Sequence, residues 1–164
     1  MSQIDFFGED KTGGSTLLRA LSGPRDQKLA TPWEIVHWLE DRFDVDIVLD
    51  VCCEESTAKG QRFYTVEDDG LRQSWKTRDR GVAFWNPPFD SIPTWFAKAS
   101  YEMGLGHPSI ALLPSRTGRR WFHHAAEFSQ RGLVEIVFFE GRIQYEGSGS
   151  SPFEDSLALY FKGD

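Results

Sequence analysis

The sequence predicts an α/β domain built on a mostly parallel central sheet with an antiparallel C-terminal end, and three observations carry that prediction. Helical patterns alternate with short strand-like runs between residues 31 and 129. The runs around Ile47-Val48-Leu49, Val82-Ala83-Phe84-Trp85 and Ser109 to Leu113 are continuously apolar, as in strands covered on both faces. Beyond residue 130, strand-like segments follow one another with few helical residues between them, which calls for antiparallel pairing there.

The first 28 residues read as a leader, in which Gly13-Gly14-Ser15 and Ser22-Gly23-Pro24 break a short helix around Leu17 to Leu21. Residues 29–164 are expected to form a single domain. Thr31-Pro32-Trp33-Glu34 opens its first helix with a Thr at the N-cap, a Pro at the first helical position and a Glu three residues after the cap. Ile35, Val36, Leu39 and Phe43 recur on one face of that helix. A strand over Val45 to Val51 ends at Asp50 and Cys52-Cys53. A β-like segment, Arg62 to Val66, stops at Glu67-Asp68-Asp69, with Gly70 closing the turn. Val82 to Trp85 runs directly into Asn86-Pro87-Pro88-Phe89. A helix from about Pro93 to Met103, the strand Ser109 to Leu113 and a helix near Arg119 to Ser129 come next. Strand segments Leu133 to Phe139, Arg142 to Tyr145 and Leu157 to Phe161 finish the chain, with a Gly/Ser-rich loop at 146–151.

At 164 residues there is room for one α/β domain and none for a separate target-recognition domain. No apolar run reaches membrane-span length and no signal-peptide order opens the chain, so the expectation is a cytoplasmic protein with no membrane partner. Cys52 and Cys53 are adjacent, which excludes an ordinary loop-closing bridge between them and supplies too few thiolates for a structural zinc site; no metal is expected. A net charge of −7 and a pI near 5.1 argue against an overall basic nucleic-acid footprint. Between Glu102 and Glu127, however, no acid occurs, and His107, Arg116, Arg119, Arg120, His123 and His124 leave a local basic face.

In an open α/β sheet, ligands sit beyond the carboxyl ends of the strands, which singles out segments 50–53, 67–69, 86–89 and 114–117. The prolines of Asn86-Pro87-Pro88-Phe89 fix φ and hold the preceding residues extended, presenting backbone carbonyls on a rigid frame. Such a loop suits transfer of a methyl group to an adenine amine. The Asn86 side-chain oxygen and the Pro87 carbonyl can each accept an N6 hydrogen, favouring a more tetrahedral nitrogen, and Phe89 can stack on the base. In duplex DNA that base must first be extruded. A Pro-rich turn closing a strand is the plain structural alternative. Asp50 and the later acids Glu67 and Asp69 suit a nucleoside-containing cofactor, the later carboxylates facing ribose hydroxyls. No Gly-x-Gly turn follows the first strand, which disfavours a dinucleotide phosphate site. Arg116 lies just past a strand end, and Arg119, Arg120 and His123 open the next helix, where phosphates or plain solvent can meet them.

Taken in order, Thr31-Pro32, Leu49-Asp50-Val51-Cys52, Ala58-Lys59, Tyr64 to Leu71, the NPPF loop, Leu112 to Thr117, Trp121-Phe122-His123, Gly141-Arg142 and Ser151-Pro152-Phe153 resemble the phage-type, Dam-like DNA N6-adenine methyltransferases. The similarity runs from about Thr31 to Phe161. It implies a Rossmann-like methyltransferase fold, S-adenosylmethionine as donor, DNA containing adenine as substrate and Asn86, Pro87, Pro88 and Phe89 as the catalytic loop. Thr31, Pro32, Asp50, Cys52, Glu67 and Asp69 are then the cofactor candidates, and Arg116, Arg119, Arg120 and His123 the DNA contacts. For a phage-encoded enzyme the compartment is the host cytoplasm, and self-protection from restriction is the family-level purpose. Thr57, Gly118 and Cys53 depart from residues common in relatives at those places. Sequence readout must come from short loops or from a dimer partner, or else be weak. Related Asn-Pro-Pro-aromatic loops also serve methyltransferases of RNA bases and protein amides. A non-catalytic phage protein that occupies host DNA-binding enzymes is the alternative of a different class.

Overall fold

The computed structural model describes residues 30–144 and 154–163. Its elements, in chain order, are α1 (Trp33–Phe43), β1 (Asp46–Asp50), a 3-10 turn (Glu55–Thr57), β2 (Arg62–Phe63), β3 (Gly81–Trp85), α2 (Ile92–Gly104), β4 (Ser109–Pro114), α3 (Arg120–Gln130), β5 (Val134–Phe138) and β6 (Ser156–Phe161). Six strands make one sheet in the order β2-β1-β3-β4-β6-β5. β2, β1, β3 and β4 are mutually parallel. β6 is antiparallel to both β4 and β5, so β5 itself runs with the parallel set. The expected antiparallel end is thus a single reversed strand. The crossover through α3 carries β5 one place too far to pair with β4, and β6, returning directly, fills the gap.

Two further expectations are corrected. The segment from Arg62 stays a strand only to Phe63, because the Asp68 side chain accepts from the Thr65 amide at 2.9 Å and the Asp69 amide bonds the Thr65 carbonyl, turning the chain before Val66. Arg142 to Tyr145 forms no strand among the described residues. Ile143 makes an isolated bridge and buries its side chain, while Tyr145, like the 146–151 loop and the 1–28 leader, lies outside the described residues.

The core is two apolar layers divided by the sheet. Ile35, Val36 and Leu39 of α1 pack on one face against Ile47, Val82, Phe84, Ile110, Leu112 and Ala158. Trp95, Phe96 and Ala99 of α2 and Trp121 and Ala125 of α3 cover the other, against Leu49, Ala83, Trp85, Ala111, Leu113 and Leu159. β3 shows the simple rule, its residues alternating between the layers. β1 breaks it. Ile47 and Leu49, two apart, face opposite layers because the pairing with β3 steps from Ile47↔Val82 to Leu49↔Ala83, leaving Val48 as an extra residue. Behind α2, the buried Glu102 receives Lys98 Nζ at 2.5 Å, His107 Nδ1 at 2.6 Å and the Trp75 amide at 3.2 Å, so its charge is fully partnered.

From β1 the chain moves outward to β2, then returns across β1 to β3 and β4 on the other side. The strand order therefore reverses between β1 and β3, and the crevice at their carboxyl ends is where an α/β sheet binds ligands.

Candidate active site

That crevice collects Asp50 from β1, the 64–69 turn after β2, Asn86 to Phe89 after β3, and Ser115-Arg116 after β4. All four singled-out segments thus share one edge of the sheet. Trp85 is fully buried and Pro87 is buried, whereas Asn86, Pro88 and Phe89 are half-buried, so the loop rises out of the core at its first residue.

Asn86 donates through Nδ2 to Thr31 Oγ1 at 3.1 Å. Thr31 is buried, and α1 starts at Trp33 with Pro32 at its cap position and no side-chain cap bond. The expected Thr cap is therefore absent: the hydroxyl that would have bonded the helix amides accepts from Asn86 instead. With Nδ2 engaged, the amide oxygen of Asn86 is the acceptor left to a ligand, and no donor among the described residues meets it.

At its other end the loop is held by Arg116. The guanidinium makes a two-pronged pair with Glu154, Nε to Oε2 at 2.6 Å and Nη2 to Oε1 at 2.8 Å, while Nη1 reaches the Phe89 carbonyl at 3.5 Å. Its Cζ lies 5.3 Å from the Phe89 ring centroid. Hydrogen bonding to Glu154 pushes the Arg116 pKa above its ordinary value. The residue singled out as a DNA contact is in place to brace the loop, its charge matched within the protein. Arg119, Arg120 and His123 stay exposed at the start of α3, beside His124, as a basic rim.

Asp50 is 2% exposed, and both carboxylate oxygens accept backbone amides: Oδ1 from Cys52 at 3.2 Å and Oδ2 from Lys59 at 3.0 Å. Burial pushes its pKa up to about 6 against the pull of those two bonds. Asp50 thus shapes the turn after β1. Burial likewise pushes the Cys52 thiol up to about 12 and raises that of Cys53, leaving neither as a thiolate nucleophile near neutral pH. In the next turn Asp68 accepts from Thr65, and Asp69, at φ 55°, accepts the Leu71 amide at 3.3 Å. Glu67 is exposed and, among the described residues, accepts only from the Thr65 hydroxyl, at 2.9 Å, which makes it the acid of this turn with most capacity for a ligand. Gly70 holds the turn against β1: a Cβ there would lie 2.0 Å from the Val51 carbonyl oxygen.

Three residues enter the site that sequence reasoning did not assign to it. Glu154 follows the Gly/Ser-rich loop, where nothing in the pattern links it to Arg116. Lys59 is buried, with its ammonium 4.4 Å from the centroid of the half-exposed Trp33 ring. Ala58-Lys59 stood out as a motif, but no spacing rule ties it to a Trp at a helix start. No group of three or more His, Cys, Asp or Glu suited to a metal occurs among the described residues. No helix among them is long and apolar enough to cross a membrane.

A family model described as DNA N-6-adenine-methyltransferase (Dam) matches residues 20–156, beginning within the stretch set apart as a leader. A protein of Haemophilus phage HP1 (strain HP1c1) described as DNA N-6-adenine-methyltransferase is 28% identical over 110 residues. That alignment covers 66% of this chain and 60% of the phage protein, so the chain matches less than two thirds of its relative's length.

Proposed function

The chain belongs to the DNA N-6-adenine-methyltransferase (Dam) family, and from that membership we propose that it methylates N6 of adenine in DNA with S-adenosylmethionine as donor. The observation that carries the reading is the orientation of Asn86. Its Nδ2 is committed to Thr31 at the point where the strand order reverses, which turns the amide oxygen into the acceptor for an incoming amine.

The residues present fit the donor. The turns after β1 and β2 hold the largely buried side chain of Lys59 and an exposed acid at Glu67, and the turn after β1 is Cys52-Cys53-Glu54-Glu55, which has none of the glycines of a phosphate cradle. A nucleoside with a charged amino-acid tail and no phosphate suits that set. The chemistry it supplies when bound is an electrophilic sulfonium methyl. Glu67 is the acid assigned to the ribose hydroxyls, with Asp50 and Cys52 acting through the shape of the turn and Asp69 by closing the next one. The parallel order of β2, β1, β3 and β4 around the reversal supports a Rossmann-like description of the sheet.

The steps for the chain's own residues follow from geometry. Adenine, extruded from the duplex, stacks on Phe89, which Arg116 and Glu154 hold from behind. Asn86 Oδ1 and the Pro87 carbonyl accept the two N6 hydrogens, so the nitrogen lone pair turns out of conjugation towards the methyl carbon. When bound, the donor would supply the methyl carbon and carry the bonding electron pair away on its sulfur, while the extra N6 proton would leave to water. No strong base is required of the protein, and neither cysteine takes part. Arg119, Arg120 and His123 form the rim for backbone phosphates.

The experiment is transfer of labelled methyl from S-adenosylmethionine to unmethylated duplex DNA, followed by nucleoside digestion. N6-methyladenine from the wild type and none from Asn86→Ala is the expected result. Absence of label in DNA, despite measurable donor binding, would move the acceptor to RNA or a protein amide.

A further inference from the structure

Building on the base extrusion assigned above, we propose that Phe138, backed by Phe122, is a wedge that enters the duplex and stacks in the gap the adenine leaves. The first observation is an aromatic ring that the core does not use. Phe138 ends β5 and is 57% exposed, although Val134, on the same face of the strand, is buried and Ile136 packs against the α2 and α3 layer. Its ring lies 6.3 Å from that of Phe122, at 53°. Phe122 is itself firm, half-buried against the same layer and set edge-on to Trp121 at 6.0 Å. Phe138 therefore has backing on one side and solvent on the other, in a side chain with only two rotatable bonds.

The second observation is the charge around the pair. Arg119, Arg120, His123 and His124 are exposed about the start of α3, and Phe122 stands within that run. Among the described residues no carboxylate lies within ion-pair distance of either arginine. α3 carries no acid before Glu127, and the acid nearest to Phe138 in sequence is Glu140. An open aromatic ring beside uncommitted cations complements a polyanion that also offers faces to stack on. A second copy of the chain suits it less, because symmetric pairing through this patch would set the same arginines against each other.

The third observation places the ring relative to the chemistry. Phe138 and Leu113 are both partners of Leu157, so Phe138 stands level with the end of β4, on the edge of the sheet where the crevice opens. In the order β3-β4-β6-β5 it is three strands from the one that carries Asn86 to Phe89. At about 4.8 Å per strand that is about 14 Å, the scale of the roughly 12 Å major groove, so one duplex can reach both places. The two are also built on one turn. The Arg119 amide bonds the carbonyl of Arg116, whose side chain braces Phe89, and the Phe122 amide bonds the Arg119 carbonyl at 3.0 Å. An apolar side chain entering the stack offsets part of the cost of taking a base out of it.

The test uses the full chain and a short duplex carrying a target adenine mapped from wild-type methylation. Phe138→Ala should lower kcat/KM on the paired duplex about tenfold, the scale of one base–aromatic stack, with S-adenosylhomocysteine binding unchanged. Opposite a mismatched base the target costs less to extrude, and most of the loss should disappear. Phe138→Leu, an apolar wedge of another shape, should keep most of the activity. 2-Aminopurine at the target position should brighten less with Phe138→Ala than with wild type. Arg119→Ala, by contrast, should weaken paired and mismatched duplexes alike and reduce the salt dependence. Unchanged transfer by Phe138→Ala, equal loss on both duplexes, or loss of S-adenosylhomocysteine binding overturns the wedge. Where the wild type rejects the mismatch, 2-aminopurine decides, and an unchanged signal overturns it. A wild-type dimer that Phe138→Ala dissociates gives the patch to a second copy and likewise overturns the proposal. A wild-type protein that leaves DNA unmethylated removes the extrusion itself, and the wedge falls with it.

Discussion

The two ends of the Asn86–Phe89 loop are held by different physics. At Asn86 the restraint is one neutral hydrogen bond, from Nδ2 to the buried hydroxyl of Thr31. At Phe89 it is a guanidinium, itself fixed by two charge-assisted bonds to Glu154 and laid beside the ring. A neutral bond settles which way an amide faces without adding charge where an amine must become nucleophilic. A paired cation braces a ring and its carbonyl strongly while presenting little net field. The same four residues thus receive orientation at one end and support at the other.

Removing the oriented group should have the largest effect. We expect Asn86→Ala to lower kcat by at least about a hundredfold, as for loss of a preorganised polar contact to the reacting atom, with donor affinity nearly intact by titration. Joint loss of transfer and donor binding would instead give Asn86 a structural role. Breaking the brace comes next. Arg116→Ala should cost about ten- to a hundredfold in kcat/KM for DNA, and 2-aminopurine placed at the target should report weaker extrusion. Because Arg116 and Glu154 act as a unit, Arg116→Ala/Glu154→Gln should be no worse than Arg116→Ala, and additive losses would separate them. Thr31→Val should lower kcat by about tenfold, with Thr31→Ser restoring it, since it removes one hydrogen bond and leaves the loop's frame. Added to Asn86→Ala, it should slow transfer no further if it works through that amide.

The smallest effect concerns the turn beneath the loop. The folded-state pKa of Asp50, about 6, lies above its ordinary value of 3.8, so in that window the folded protein binds the extra proton. This group's contribution to stability is complete below about pH 4 and is lost as pH rises through 6. Thermal melts should show the wild type gaining on Asp50→Asn as pH falls from 7 to 4. A difference independent of pH would mean that Asp50 titrates normally.

Most of the scaffold was legible because its signals are local. Apolar runs located β1, β3 and β4 to within a residue or two, and the three helices among the described residues were placed about as closely. The loop at 86–89 was legible because two prolines after a buried strand allow few conformations. What escaped depends on partners distant in sequence. Thr31 carries every local mark of an N-cap, but an amide 55 residues away takes its hydroxyl. Glu154 lies 38 residues beyond Arg116, with no periodic relation to it. The strand expected from Arg62 to Val66 was cut short by the Asp68 carboxylate, a competition between side chain and ladder that β-propensity does not register.

Val48 has a further consequence, for how this chain is compared with others. The extra residue in β1 puts everything after it out of phase with everything before it, so Leu49 and Val51 join the α2 layer while Ile47 stays with α1. A comparison that threads β1 as a plain alternation assigns half the strand to the wrong side and turns the Asp50 carboxylate away from the Lys59 amide that it holds. Deleting one residue at Val48 is consequently a different event from replacing it. A replacement tests a contact, whereas a deletion removes the extra residue itself and asks β1 to pair with β3 as a plain alternation just before the crevice begins. Swaps of β1 between relatives should therefore be cut outside the strand, so that its phase travels with it.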